Sequence, residues 1–288
     1  MIWLIGCKGM LGSEVAELLE KNNIEFTGTD RQVDITDLSA LEDFVRGKKI
    51  SYIVNCAAYT AVDLAESNQE AALALNATGP KNIAVVAKKI GAKVIHISTD
   101  YVFDGTSTRP LKEDDPIAPI GVYGSTKAKG EAELAANTDE FYILRTAWLY
   151  GKAGKNFVFT MIKLMESHDT IKVVSDQWGT PTWTNTLANV IISIIQKGNV
   201  PYGIYHCTDL GKITWYDFAV EIQKQAVASG LLTKTDCVVN PCTTADYPTP
   251  AKRPAYSVLD KTKIQDALGI RLPAWEESLK KFLSDITN

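Results

Sequence analysis

The sequence lacks the features that mark several classes of protein. No apolar stretch approaches the roughly 20 residues that cross a bilayer, and the apolar start is too short for a signal peptide. A formal net charge of -4 with no basic run argues against nucleic acid as the main partner. The five cysteines include no C-x-x-C pair, and the three histidines lack metal-ligand spacing. We therefore expect a cytoplasmic protein without a membrane partner, a nucleic-acid partner or a zinc site.

The composition is that of an ordinary globular protein. The chain has 288 residues, of which 45% are hydrophobic and 22% are charged, so it can bury a full core. Up to about residue 150, strand-like and helix-like segments alternate, which predicts an α/β fold with a doubly wound parallel sheet. From residue 151 to 288 the alternation loosens. We predict a core domain over 1–150 and a smaller C-terminal α/β lobe over 151–288, from which segments can return to the core.

The apolar periodicity and the turn residues define the individual segments. The predicted strands are Met1 to Ile5, Glu25 to Thr29, Tyr52 to Asn55, Lys93 to Ser98, Phe141 to Thr146, Ile171 to Val174 and Ile204 to Cys207. The predicted helices include one that Thr36 or Asp37 caps, two stretches separated near Gly79 and Pro80, and further segments at Gly124 to Ala136, Phe157 to Ser167, Asn185 to Gln196 and Tyr216 to Ser229.

A glycine-rich turn follows the first predicted strand and precedes a helix. Its glycines, Gly6, Gly9 and Gly12, have the spacing G-x-x-G-x-x-G. Strand, glycine turn and helix in this order are typical of the first unit of a dinucleotide-binding fold, in which the N–H groups of the helix N-terminus hold a pyrophosphate. The spacing differs from the usual G-x-G-x-x-G, so a glycine turn without a nucleotide is the alternative interpretation.

The end of the second predicted strand bears on the choice of cofactor. Asp30 stands where an acidic side chain would meet the adenosine ribose of NAD, whereas Arg31 directly after it could accommodate the 2′-phosphate of NADP. The sequence therefore predicts NADPH or NADH and does not decide between them.

Tyr123 and Lys127 are four residues apart. If this stretch is helical, the two side chains share one face, so that Lys127 can lie beneath the Tyr123 hydroxyl. A nearby cation favours the phenolate and eases proton transfer to or from a substrate oxygen. Thr99, at a strand end, could hold the same oxygen. We predict these three as catalytic residues of carbonyl/alcohol chemistry; the alternative is a solvated helix with an incidental Tyr–Lys pair.

With these residues in place, the chain resembles the extended short-chain dehydrogenase/reductases. The motifs that carry the resemblance are Gly6-x-x-Gly9-x-x-Gly12, Asn55-Cys56-Ala57-Ala58, Asn76-Ala77-Thr78-Gly79, Ser98-Thr99 and Tyr123-x-x-x-Lys127. Segments 58–63, 98–105, 145–151, 179–182 and 253–259 make it most similar to the members that act on dTDP-4-dehydro-L-rhamnose. The resemblance covers nearly the whole chain and implies a Rossmann-type fold, with NAD(P)H-dependent reduction of the C4 ketone of this dTDP-sugar to dTDP-L-rhamnose.

The resemblance also implies a role for each matched position. The implied cofactor contacts are the turn glycines with Met10 and Leu11 at the phosphates, Asp34 and Ile35 by the adenine, and Ala57, Ala58, Tyr59 and Thr60 along the cofactor. The implied substrate contacts are Thr99, Asp100, Trp148 and Arg253. Tyr123 would be the acid, with Lys127 assisting it, and both would also contact the cofactor. For Asp63 and Arg253, a helix cap and a surface ion pair remain the alternatives.

The sequence departs from the resemblance at one position. Some members join two chains through Mg²⁺ held by carboxylates; Glu14 retains one of them, but Asn185 stands where the other is expected. Because Mg²⁺ prefers carboxylate oxygens, we predict no metal site and no metal-bridged dimer, with a homodimer of another kind left open. We expect Glu14 to serve the first turn of its helix, where the dipole favours negative charge.

Two other functions remain open. A nucleotide-sugar epimerase, or a related 4-ketoreductase, would share the fold; a 4,6-dehydratase is disfavoured because related dehydratases carry glutamate where this chain has Tyr101. A non-catalytic regulatory subunit of the same fold is the other alternative. The joint presence of Thr99, Tyr123 and Lys127 argues against it, although fold alone does not decide function.

Overall fold

The computed structural model describes residues 1–287. The strands are β1 (Ile2–Ile5), β2 (Phe26–Thr29), β3 (Tyr52–Asn55), β4 (Lys93–Thr99), β5 (Phe141–Thr146), β6 (Leu149–Tyr150), β7 (Thr170–Val174), β8 (Trp178–Gly179), β9 (Thr182–Trp183), β10 (Gly203–His206), β11 (Ile213–Thr214) and β12 (Val238–Cys242). Within the described range, six of them form a parallel sheet in the order β10-β5-β4-β3-β1-β2. The predicted doubly wound parallel sheet is confirmed.

The helices flank this sheet and build the C-terminal part. They are α1 (Met10–Lys21), α2 (Leu38–Val45), α3 (Val62–Ala65), α4 (Gln69–Leu73), α5 (Gly79–Ile90), α6 (Val122–Asn137), α7 (Phe157–Ser167), α8 (Thr184–Lys197), α9 (Trp215–Ala228), α10 (Thr262–Leu268) and α11 (Trp275–Thr287). A π-helical segment, Ala74–Thr78, joins α4 to α5, and short 3₁₀ turns cover Asp100–Val102 and Thr244–Asp246. None of the helices within residues 1–287 is both long and apolar enough to span a membrane.

The burial of both faces of the sheet explains why β1 is apolar at every position. Successive side chains of a strand point to opposite faces, and helices cover both faces of this sheet. In β1, Leu4 packs in the cluster that contains α1 and α8 residues. Trp3 and Ile5 pack in the cluster on the other face, with residues of α2 and α5. The sheet is therefore a buried platform on which only the strand ends are open to ligands.

One predicted helix boundary is confirmed and another is wrong. The Asp37 carboxylate accepts a hydrogen bond from the Ser39 N–H and caps α2, as predicted. Gly79 and Pro80, however, do not separate two helices. The chain stays helical from Gln69 to Ile90, and Pro80 lies in the first turn of α5. The hydrogen-bond pattern changes instead in the π-helical segment before it.

The C-terminal part contributes to both the sheet and a separate apolar cluster. The predicted strand near Ile204 is β10, which pairs with β5 at the edge of the main sheet, and α8 packs against α1. A second cluster is rich in aromatic rings from α7, α9 and α11, among them Phe218, Trp275 and Phe282. The functional division at residue 150 remains a prediction.

Candidate active site

A cavity of about 850 Å³ opens at the carboxyl ends of the sheet strands. It lies where the strand order reverses, since the chain leaves β1 for β2 on one side and continues through β3, β4 and β5 on the other. Open α/β sheets bind ligands at such a switch point. Most predicted site residues line this cavity: Gly6, Gly9, Met10, Leu11, Asp30, Arg31, Asp34, Ile35, Ala57, Ala58, Thr60, Thr99, Asp100, Tyr123, Lys127 and Trp148.

Three predicted residues lie outside the cavity lining. Gly12 is buried behind the glycine turn, where a Cβ would lie 2.0 Å from the Gly6 carbonyl oxygen. The backbone of Tyr59 is held by Asn76, whose side chain accepts from its N–H at 2.8 Å and donates to its carbonyl at 3.1 Å. Arg253 pairs with Asp63 beyond the cavity. Gly12 thus shapes the turn, whereas the cofactor contact of Tyr59 and the substrate contact of Arg253 stay predictions.

The glycine turn brings backbone N–H groups to the cavity. Gly6 has a φ of +75°, a left-handed conformation that favours glycine. A Cβ at Gly6 would also lie 2.8 Å from the backbone nitrogen of Ala57, so β1 and β3 could not approach as closely. Helix α1 then begins at Met10, and its first N–H groups have no intrahelical partner. These groups and the positive end of the helix suit a pyrophosphate.

Asp30 and Arg31 lie together at the end of β2. The Asp30 carboxylate accepts hydrogen bonds from the backbone N–H of Arg31 at 2.9 Å and of Lys8 at 3.3 Å. The Arg31 side chain is exposed, and both residues line the cavity. A ribose hydroxyl and a 2′-phosphate therefore each find a suitable group at this rim.

The Tyr123 hydroxyl is held in its protonated form. Burial raises the pKa of Tyr123 to about 12, and the nearby Asp100 charge also raises it, while a hydrogen bond with the Thr99 hydroxyl opposes the increase. At neutral pH Tyr123 is therefore a phenol with a proton to give. Thr99 ends β4, and its hydroxyl donates to the Asp100 carboxylate at 3.1 Å and accepts from the Tyr101 N–H at 3.2 Å.

Lys127 differs from the prediction in the direction of its side chain. It is buried one helical turn from Tyr123 in α6, as the spacing predicts. Its ammonium nitrogen, however, donates to the Ile97 carbonyl at 2.6 Å and lies 3.3 Å from Nε2 of His96, both in β4. The expected lowering of the Tyr123 pKa by this cation is not found; that pKa is raised instead, for the reasons given above. Burial lowers the pKa of Lys127 itself to about 8, with Glu131 opposing.

Asp100 and Tyr101 form the wall next to Tyr123. Burial raises the pKa of Asp100 to about 6, against hydrogen bonds that include one from Thr99. The rings of Tyr101 and Tyr123 meet edge to face, with centroids 5.5 Å apart. An aromatic ring with a neutral phenol thus occupies the place where a dehydratase would need a carboxylate.

Trp148 reaches the cavity in an unusual conformation. Its φ of +47° is rare for a residue with a large side chain. The indole stacks on Trp215 of α9, with centroids 3.6 Å apart and planes 13° apart. A Cβ at Gly179 would lie 2.5 Å from its Cε2 atom. The stacked ring and the bare glycine backbone together hold the indole at the cavity wall.

Gly179→Ala is expected to displace this indole and, with Trp148 in the substrate role that the family resemblance implies, to weaken binding of the sugar. The added methyl would overlap the ring, and a displacement of about 1 Å at a positioning group can cost up to 10²-fold. We expect the KM for the dTDP-sugar to rise about tenfold or more, while the KM for NADPH changes less than about threefold. Steady-state kinetics with each substrate varied in turn measures both. An unchanged sugar KM would remove Trp148 from the sugar contacts.

Asp63 and Arg253 pair with each other. Two nitrogens of the Arg253 guanidinium donate to the two Asp63 oxygens at 2.8 and 3.1 Å, and the Ala251 N–H donates to the same carboxylate. These bonds, led by the Arg253 hydrogen bond, lower the pKa of Asp63. The pair ties the C-terminal segment to α3, in keeping with the ion-pair alternative. Burial raises the pKa of Tyr101 at the cavity wall, and the charge of Arg253 opposes this increase.

The side chains of Glu14 and Asn185 are hydrogen-bonded to each other. The Asn185 amide nitrogen donates to Glu14 at 2.7 Å, and its amide oxygen accepts from Asn189 at 2.9 Å. The Thr184 hydroxyl donates to the other Glu14 oxygen at 3.3 Å. The Glu14 oxygens and the Asn185 amide oxygen thus already accept hydrogen bonds from the chain, whereas Mg²⁺ would need free oxygen ligands. Glu14 also lies beyond the first turn of α1, so the predicted dipole role was wrong; it joins α1 to α8 instead.

EDTA is therefore expected to change neither the activity nor the assembly state. The Glu14 carboxylate already has partners in the chain, and the proposed chemistry needs no Lewis acid. Activity and sedimentation velocity before and after chelation test this, with Asn185→Asp as the variant that restores a carboxylate. Our interpretation is that Asn185 leaves no Mg²⁺ site. It would be contradicted if chelation lowered the activity of the unmodified protein or dissociated its dimer.

Sequence reasoning missed several residues that support the site. Beneath β4 and β5, Glu131 of α6 accepts two hydrogen bonds from Arg145 at 2.7 and 2.9 Å and another from Ser98. Asn76 sits in the π-helical segment and also donates to Thr126. Asn76, Ser98 and Arg145 had a signal, because they stand in motifs that carry the family resemblance. Glu131 had none, because its contacts join segments that are remote in sequence.

One cavity at the switch point of a doubly wound sheet is thus lined by a glycine turn, a strand-end threonine, and a tyrosine and a lysine one helical turn apart. This combination of fold and site makes the chain an extended short-chain dehydrogenase/reductase. A family model described as "RmlD substrate binding domain" matches residues 1–288. The chain belongs to this family.

Named relatives and solved structures agree with this membership. A protein named dTDP-4-dehydrorhamnose reductase from Aggregatibacter actinomycetemcomitans is 43% identical over 283 residues, with 96% of each chain covered. The crystal structure of a dTDP-4-dehydrorhamnose reductase from Clostridium acetobutylicum is 45% identical, with a TM-score of 0.94 and coverage of 100% of this chain and 99% of that chain. The structure of the Bacillus anthracis enzyme in complex with NADP is 35% identical, with a TM-score of 0.92 and coverage of 99% and 98%.

Proposed function

We propose that the protein reduces the C4 ketone of dTDP-4-dehydro-L-rhamnose to dTDP-L-rhamnose with NADPH or NADH. The observation that carries this proposal is the meeting of Tyr123, Thr99 and Lys127 with the glycine turn in one cavity. Relatives with the matching name cover nearly the whole chain, and one of them has been solved with NADP. We therefore propose that the cavity binds both the cofactor and the dTDP-sugar.

The residues of the first half fit a dinucleotide. The N–H groups of Met10, Leu11 and Gly12 would hold its pyrophosphate, since they start α1 and lack helical partners. Asp30 or Arg31 would meet the adenosine ribose at the end of β2. The remaining proposed contacts are Asp34 and Ile35 at the adenine, with Ala57, Ala58, Thr60 and, through its backbone, Tyr59 along the cofactor.

The chemistry is a carbonyl reduction, in which a hydride and a proton convert the ketone to an alcohol. The reduced nicotinamide supplies the hydride to C4. Tyr123 donates its phenolic proton to the ketone oxygen, which its raised pKa permits because the phenol is protonated at neutral pH. Thr99 would hold the same oxygen by a hydrogen bond, and Lys127 would assist Tyr123 by returning a proton to the phenolate that forms. Asp100, Trp148 and Arg253 are proposed to bind the sugar nucleotide.

Functional roles divide along the chain under this proposal. Residues 1–150 would bind the dinucleotide, and residues 151–288 would mainly bind the substrate, with β10 and α8 returning to the core. A cytoplasmic location, as predicted from the sequence, is part of the proposal.

An NAD(P)H-oxidation assay with product identification tests the function. We expect absorbance at 340 nm to fall in proportion to the dTDP-4-dehydro-L-rhamnose supplied, and NMR to identify dTDP-L-rhamnose as the product. An epimerase would change the sugar without net consumption of NAD(P)H. A regulatory subunit would leave both the sugar and the cofactor unchanged. Either outcome, or turnover of only a different dTDP-4-keto sugar, would overturn the proposal.

We expect NADPH and NADH to be used with kcat/KM values within about one order of magnitude of each other. Asp30 favours a free 2′-hydroxyl, whereas the exposed Arg31 favours a 2′-phosphate, and the two lie side by side. Comparing kcat/KM for the two cofactors decides this. Arg31→Ala should then lower the value for NADPH more than that for NADH. A thousandfold preference in the unmodified protein would mean that one residue dominates.

A further inference from the structure

A buried histidine lies against the lysine of the site. His96 belongs to β4 and is fully buried. Its Nε2 atom lies 3.3 Å from Nζ of Lys127, and its Nδ1 atom lies 3.0 Å from the amide nitrogen of Asn55 in β3. The contact of His96 with Lys127 connects the histidine to the proposed proton transfer.

The direction of the hydrogen bonds in this chain of groups is fixed at one end. The backbone N–H of Ala57 can only donate, and it donates to Oδ1 of Asn55 at 3.1 Å. This contact orients the Asn55 amide, so that its NH₂ group, which also can only donate, faces Nδ1 of His96. The Nδ1 atom must then accept. Neutral His96 therefore carries its proton on Nε2, because the partner of one ring nitrogen determines the state of the other.

This tautomer places an N–H donor against Lys127. A hydrogen bond from Nε2–H to Nζ needs a lone pair, which an amine has and an ammonium lacks. The Ile97 carbonyl, 2.6 Å from Nζ, accepts from either form. Burial lowers the pKa of Lys127, and the charge of Glu131 on the same helix opposes this effect. Neutral His96 adds no charge and acts on Lys127 only through the direction of the hydrogen bond. Asn55 and the Ile97 carbonyl add no charge.

We propose that Asn55 and His96 form a positioning pair that fixes the hydrogen-bond direction at Lys127 and favours its amine form, so that Lys127 exchanges a proton near neutral pH. The burial that lowers the pKa of Lys127 to about 8 acts in the same direction. The hydrogen-bond direction stands on geometry alone. Its consequence for proton supply to Tyr123 rests on the proposed function.

The histidine tautomers can be measured in the unmodified protein. The chain has three histidines, and ¹⁵N–¹H spectra distinguish the two ring tautomers. His206 is a matched internal control, because it is also fully buried but its Nδ1 faces the Leu111 carbonyl at 3.0 Å and must donate. We expect His96 to carry its proton on Nε2 and His206 on Nδ1, with signals assigned from His206→Gln and His168→Gln. A proton on Nδ1 of neutral His96, or a charged His96 at pH 7, would overturn the proposal.

The consequence for Lys127 is tested with His96→Gln. The glutamine amide can turn its oxygen toward Nζ and accept from an ammonium, so the Lys127 titration should move to higher pH. We expect an increase of about one pH unit, a tenfold lower acid dissociation constant, in the ¹³Cε signal that Lys127→Met identifies. His206→Gln should leave this titration unchanged. An unchanged midpoint in His96→Gln would mean that His96 only fills space.

The same variants separate this inference from the proposed function. Both NMR measurements use the protein without substrate, so they stand even if the protein acts on a different sugar. Under the proposed function, the alkaline limb of the pH dependence of kcat should move upward in His96→Gln by the same amount as the Lys127 titration. A shift in the NMR titration without one in kcat would contradict the catalytic consequence.

Discussion

Tyr123→Phe is expected to lower kcat by about 10²–10⁴-fold and to leave the dissociation constant for NADPH within about threefold of that of the unmodified protein. The substitution removes the proton donor and leaves the ring in place, so only the transition state loses an interaction. The phenol is protonated at neutral pH because burial raises its pKa to about 12. Single-turnover kinetics and fluorescence titration with NADPH measure the two quantities.

Tyr150→Phe is the matched control for this prediction. The Tyr150 ring is fully buried, and its hydroxyl makes no hydrogen bond within the described residues. Loss of that hydroxyl should therefore leave kcat close to its original value. If Tyr123→Phe retained kcat as well as Tyr150→Phe does, another group would have to supply the proton.

Glu131→Gln is expected to lower the free energy of unfolding by about 3–5 kcal/mol. The side chains of Glu131 and Arg145 are 5% and 2% exposed and share two hydrogen bonds. An amide in place of the carboxylate leaves the Arg145 charge buried without a counter-charge, which costs far more than the loss of an exposed pair. Urea unfolding at pH 7, followed by circular dichroism, measures the change.

Two further variants make this test specific. Glu42→Gln breaks an exposed pair with Lys89, whose side chains are 38% and 64% exposed, and should cost about 0–1 kcal/mol. Replacing both buried partners, Glu131→Leu with Arg145→Met, should recover much of the lost stability because no uncompensated charge remains. A Glu131→Gln variant no less stable than Glu42→Gln would show that water or another group compensates Arg145.

The sequence predicted the central elements well where an apolar run ends at turn residues. Strands Tyr52–Asn55 and Phe141–Thr146 and helix Phe157–Ser167 have the predicted bounds. Helix continuity across Gly79 and Pro80 could not be predicted, because the π-helical segment before them depends on packing against α6. The two-residue strands also escaped prediction. Trp178–Gly179 pairs with Ile213–Thr214, and so short a segment has no periodicity to detect.

The candidate site could be predicted only as far as its motifs reach. Residues just past strand ends lie in the cavity because the carboxyl ends of parallel strands meet at one edge. The direction of the Lys127 side chain could not be inferred from its spacing to Tyr123, since the spacing carries no information about the His96 and Ile97 groups on β4. Trp215 was missed for the same reason; its stacking on Trp148 joins α9 to the segment after β5.

The pairing of β10 with β5 has a consequence for how the protein can be divided. A fragment that stopped at residue 150 would keep the pairing of β5 with β4 but would leave the other edge of β5, from Tyr142 to Arg145, without its β10 partner. Such an open strand edge is prone to aggregation. It would also expose the apolar face of α1 that α8 covers. The half proposed to bind the cofactor therefore cannot be expected to survive as an independent unit, and a proteolytic cut between the two halves should leave them associated.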